Sequence, residues 1–136
     1  MPVMENPKDI NTIVLAYMGD AVYEQAVREH IIRKRPYDAN WLHRTATAFV
    51  KAQAQSKIIK TMFDGLSEEE QRLVKRARNK KFTTKARNAD PITYKWATAF
   101  EALVGYLYLA GETERLGQVI EEAIAIVEGG NDEQSG

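Results

Sequence analysis

Two acidic residues stand where acidic residues are hard to keep. Asp20 lies in Ala16-Tyr-Met-Gly-Asp-Ala-Val22 and Glu101 in Ala97-Thr-Ala-Phe-Glu-Ala-Leu-Val-Gly105, each the one charged residue of its stretch. On a helix, the neighbours of Glu101 three and four residues away are Ala97, Thr98, Val104 and Gly105. A carboxylate so placed costs free energy unless it holds a cation, whether a metal ion or an arginine. Asp20 has a second reading, as a helix N-cap following Gly19. Other routes to chemistry are closed or weak. The absence of cysteine excludes disulfides and thiolate metal sites. His30 and His43 have no partners at metal-ligand spacing and read as structural or surface histidines. There is no phosphate-cradling glycine loop, no zinc-protease helix motif and no triad signature around a serine.

The net charge is zero, with 19 basic and 19 acidic residues, but the charges are unevenly placed. Between Arg72 and Arg87 stand eight basic residues (Arg72, Lys75, Arg76, Arg78, Lys80, Lys81, Lys85 and Arg87) and no acid. That leaves 11 basic residues against all 19 acids elsewhere. A basic patch on an acidic body is where a polyanion binds.

The elements that must position these groups read as helices throughout. At 136 residues and 44% hydrophobic content the chain suits one domain with a real core. Asn6-Pro7 opens a helix, with Ile10, Ile13, Val14 and Tyr17 at helical spacing. Gly19-Asp20 interrupts it, residues 21–32 continue it, and Pro36 closes it. Asp38 caps a long helix carrying Trp41, Thr45, Ala48, Phe49, Ala52, Ile59 and Phe63 on one stripe, up to Gly65. Ser67 and Glu70 form a capping box for a helix through about Ala77, and residues 79–89 read as a loop. Asp90-Pro91 starts a helix through Trp96, Phe100, Leu103 and Leu107, ending near Gly111. A last one carries Leu116, Val119, Ile120, Ala123 and Val127. The expectation is an all-α bundle of about six to seven helices over residues 1–128, with a disordered tail over 129–136. No apolar run approaches the roughly 18 residues of a membrane span, and Met1 to Asp9 lack the apolar core of a signal peptide, so a cytoplasmic protein is expected.

At this point a family resemblance appears. Tyr17-Met-Gly-Asp-Ala-Val22 resembles the signature helix of ribonuclease III, Phe-Leu-Gly-Asp-Ala-Val. Phe100-Glu-Ala-Leu-Val-Gly105, followed by Tyr106-Leu-Tyr-Leu109, resembles that family's second motif, Phe/Val-Glu-Ala-Leu-Ile-Gly. The likeness covers residues 7 to 127 and is nearest to the short bacterial form, Mini-ribonuclease III, which has the nuclease domain without a double-stranded-RNA-binding domain. Two signature-helix glutamates of the long form are replaced by Ile13 and Ala16, and the aspartate before its second glutamate by Thr98. A further glutamate of its middle helix is matched to Gln53.

The resemblance implies a ribonuclease III-type fold and a Mg²⁺-dependent endoribonuclease acting on double-stranded RNA. Asp20 and Glu101 would be both catalytic residues and metal ligands, since Mg²⁺ is commonly held by one or two carboxylates, several waters and substrate phosphate. Duplex RNA is read through its backbone. The expected contacts are Arg78, Lys80, Lys81, Thr83, Thr84, Lys85 and Arg87. The family's substrate implies large-subunit (23S-type) ribosomal RNA precursor as the partner. A duplex needs one cut per strand, which a two-fold homodimer supplies. The rival reading is a non-catalytic RNA-binding or ribosome-associated protein on the same fold. Retention of both Asp20 and Glu101 speaks against it. A DNA-binding module built on helix 68–78 lacks a recognition-helix signature.

Overall fold

The computed structural model describes residues 6–34, 38–80 and 90–135, with side chains to Gly129. Among them are six α-helices and no strand, as the all-α expectation required. Asn6 caps a single 3-10 turn, Pro7–Asp9, rather than a long helix. The first α-helix, α1 (Thr12–Ile32), begins anew, with the Asn11 side chain accepting from the Ile13 amide.

Two sequence expectations need correction here. Gly19-Asp20 does not interrupt α1, which runs unbroken across it, so Asp20 is not an N-cap. The long helix after Asp38 is in fact two, α2 (Ala39–Val50) and α3 (Ala52–Met62), separated at Lys51, whose ψ of 154° is extended. The break needs neither glycine nor proline. The Gln55 amide donates to the Val50 carbonyl at 3.0 Å, replacing a bond that the turn gives up.

The remaining helices begin where their caps predict. In α4 (Glu68–Arg78) both bonds of the Ser67–Glu70 capping box are present. Asp90 caps α5 (Pro91–Leu109) through the Thr93 amide, and Gly111, at φ 73°, turns the chain into α6 (Thr113–Ser135). The helix therefore continues beyond Val127 and through residues 129–135. Extending a formed helix adds one hydrogen bond per residue, without a new nucleus.

Helix α5 is the centre of the bundle. Ala99, Phe100, Ala102, Leu103 and Val104 are fully buried, with α1, α3, α4 and α6 packed around them. Tyr23 of α1 meets Phe100 edge-on at 4.9 Å between ring centroids and donates to the Phe49 carbonyl at 3.2 Å. Burying each large side chain of this kind stabilises the fold by roughly 1.5–3 kcal/mol. Glu70 pairs through both oxygens with Arg115, at 2.8 and 2.9 Å, tying α4 to α6. His30, with Lys34, pins α1 to α6 through Glu128, which gives that histidine the structural role expected of it. No helix among the described residues is long and apolar enough to cross a membrane.

Candidate active site

The antiparallel crossing of α1 and α5 builds the site. A β-carbon added to Gly19 would stand 1.7 Å from the Glu101 carbonyl oxygen, and one added to Gly105 would stand 1.9 Å from that of Leu15. Both distances are far inside contact, so only glycine fits at either position. The two glycines let the helix backbones touch, and that contact brings Asp20, the residue after Gly19, against the side chain of Glu101. The glycine in each sequence motif is thus the positioning device for the acid of the other.

Glu101 is half-buried and Asp20 exposed, so the pair runs from the core edge to solvent. Burial pushes the Glu101 carboxyl up to about 9. That value already includes two smaller upward effects, the hydrogen bond shared with Asp20 and repulsion between the two carboxylates, and the opposing effect of the Gln55 amide. Like charges held this close are stable only with a proton or a cation between them. Gln55 itself is 2% exposed and reaches Glu101 from α3, one N–H being taken by Val50.

Three further polar positions resolve differently from the family pattern. The residue of the middle helix beside Glu101 is Gln55, whereas Gln53 is exposed on the outer surface of α3. Thr98 turns its hydroxyl back to the Tyr94 carbonyl at 2.9 Å. Asp90 is occupied as an N-cap, bonded to the amide and hydroxyl of Thr93. Among the described residues no cluster of three histidine, aspartate or glutamate side chains forms. Asp20 and Glu101 are the acids of the site, with the Gln55 amide beside them.

Of the expected RNA contacts, Arg78 lies over the Trp96 ring with its guanidinium carbon 5.0 Å from the centroid. Lys80 is exposed and shares a surface cavity with Lys8 and Arg76. Lys81, Thr83, Thr84, Lys85 and Arg87 fall outside the described residues. Sequence reasoning missed Gln55. Its signal was a long polar side chain at helical spacing from Ile58, Ile59 and Met62 on the buried face of α3.

The helices that carry this geometry lie in the part of the chain that matches known proteins. The sequence profile described as the Ribonuclease III domain matches residues 13–112, which contain both acids and both glycines. The chain is 48% identical over 124 residues to a Mini-ribonuclease 3 of Brevibacillus brevis, covering 91% of this chain and 92% of that one. A Mini-ribonuclease 3 of Thermoanaerobacter is 42% identical, covering 91% and 87%. A crystal structure of a protein from Fusobacterium nucleatum superposes with a TM-score of 0.80 at 33% identity, covering 89% of this chain and 97% of that one.

Proposed function

This chain belongs to the ribonuclease III family, and from that premise we propose that it is a Mg²⁺-dependent endoribonuclease cutting double-stranded RNA as a cytoplasmic homodimer. That it is an RNA-cleaving nuclease follows from the family. The finer reading is carried by one observation, the pairing of Asp20 with Glu101 at the glycine crossing. The carboxylate oxygens there are hard ligands suited to Mg²⁺, and among the described residues the half-buried acid has no ion-pair partner. Bound Mg²⁺ would supply charge neutralisation at the phosphate and an activated water. The chain's part is to fix both carboxylates on one rigid crossing, with Gln55 orienting Glu101, so that little reorganisation is needed. We further propose large-subunit ribosomal RNA precursor as the substrate, as the resemblance to ribonuclease III implies.

Assembly has its own support. Ile13, Val14 and Tyr17 of α1 are 42%, 52% and 82% exposed, an apolar patch one turn from Asp20. An exposed apolar patch of this kind marks an association surface. Two copies meeting there by a two-fold axis would bring two Asp20–Glu101 pairs to one duplex, one for each strand.

The test is incubation with a perfect RNA duplex and with its separate strands, in Mg²⁺ and in EDTA. Cutting of the duplex in Mg²⁺ alone is expected. Equal cutting of single strands, or cutting that persists in EDTA, contradicts the reading.

A further inference from the structure

A second surface leads away from the carboxylates along the seam of α3 and α5. These helices are antiparallel. Gln55 meets Glu101 towards one end, and Phe63, just past α3, meets Trp96 edge-on at the other, with ring centroids 6.3 Å apart. The residues from 55 to 63 cover about 12 Å of helix axis. Over this length the outer face of α3 opens a groove of about 310 Å³ lined by Gln53, Lys57 and Lys60 from α3 and Thr93 from α5.

Its charge is one-sided. Lys57 and Lys60 are exposed, and among the described residues neither makes an ion pair. The Lys60 ammonium lies 5.6 Å from the Trp96 centroid, on the same ring that holds Arg78 at 5.0 Å. Lys75 lies 5.7 Å from the centroid of Phe63. Aromatic faces hold cations in place without neutralising them, and so leave their N–H donors to a further anion. The hydroxyl of Thr93 is committed to Asp90 and that of neighbouring Thr61 to the Lys57 carbonyl, so the charge offered to a ligand here is that of the lysines, with Gln53 and Ser56 as neutral polar neighbours. From Lys75 onwards the sequence carries no acid until Asp90.

A shallow groove with exposed, unpaired cations, on the outer face of the helix that sends Gln55 inward to Glu101, fits an extended polyanion better than a small one. We propose that the α3–α5 seam is a backbone track for duplex RNA beyond the scissile phosphate. In it Lys57 and Lys60 neutralise phosphates, and Trp96 presents Arg78 to a further one. The inference rests on the duplex-nuclease reading above. Because the track touches phosphates alone, it lengthens the footprint without adding base preference.

The experiment compares wild type with Lys57→Ala/Lys60→Ala and Lys57→Arg/Lys60→Arg. Duplex affinity is measured against salt in Ca²⁺, and single-turnover cleavage at saturating RNA in Mg²⁺. The alanine pair should lower the log–log salt slope by about two units, one for each phosphate that is no longer neutralised, and weaken binding alike on unrelated duplex sequences. Its saturating rate should stay within about twofold of wild type, and the arginine pair should restore affinity and slope. If wild type cuts duplex while the alanine pair keeps wild-type affinity and slope, the track is wrong and the catalytic reading stands. If wild type neither binds nor cuts duplex, the catalytic reading has failed and the track with it.

Discussion

The α1–α5 crossing and the basic face of α3 and α4 are built on opposite principles. At the crossing the backbones touch, the side chains are small, and no space remains for one more carbon. On the basic face Lys57, Lys60, Lys75 and Arg76 are long, exposed side chains. Orienting carboxylates on a reacting phosphate requires positions fixed within about half an ångström. Gripping a polyanion requires only charge at roughly the right spacing. On the proposed reading, catalysis depends on backbone packing, whereas binding depends on side-chain charge.

The comparison breaks most severely at the glycines. Gly19→Ala or Gly105→Ala would force the helices apart and should cost about 3 kcal/mol or more in urea unfolding. Lys57→Ala or Lys75→Ala should stay within about 0.5 kcal/mol. A glycine variant as stable as a lysine variant would show that the crossing tolerates separation.

Next comes pH. With its carboxyl raised to about 9, Glu101 keeps a proton in the metal-free folded state that it has lost in the unfolded state above its ordinary value near 4.5. The folded state then binds more protons, so stability falls as pH rises from about 4.5 towards 9. Glu101→Gln should flatten that decline and melt above wild type at pH 8 without metal, with the two converging near pH 4.5. Mg²⁺ should raise the melting temperature of wild type more at pH 8 than at pH 6. Parallel melting profiles for variant and wild type would contradict this.

Assembly falls between the two regions, because the patch lies on α1 but works by exposed side chains. Tyr17→Glu or Val14→Glu should shift sedimentation at micromolar concentration from dimer to monomer, and wild type already monomeric there would remove the proposed axis. The smallest effect belongs to single cations. Arg78→Ala should lower the salt slope of duplex binding by about one unit and leave thermal stability nearly unchanged. An unchanged slope would confine Arg78 to its contact with Trp96.

Much of this was legible in the sequence because the signals were local. The Ser67–Glu70 box and Asp90-Pro91 mark helix starts through bonds spanning three residues, and the two acids stood out against apolar neighbours. What was not legible depended on contacts between distant segments. Gly19 looked like a helix breaker, yet it serves a backbone contact with Glu101, 82 positions later in the chain. The break at Lys51 has no glycine or proline, because the fold sets it by sending Gln55 back to Val50 and inward to Glu101. The family resemblance was matched to Gln53, whereas the residue that reaches Glu101 is Gln55.

The central claim is that Asp20 and Glu101 act together on one phosphate while RNA is held elsewhere. Single-turnover cleavage of a perfect duplex at saturating protein in Mg²⁺, for wild type, Asp20→Asn and Glu101→Gln, tests it directly when paired with duplex affinity in Ca²⁺. Both variants should bind within a few-fold of wild type and cut at least roughly a thousandfold more slowly, as the loss of several kcal/mol of charge stabilisation requires. Either variant cutting at the wild-type rate would contradict the account.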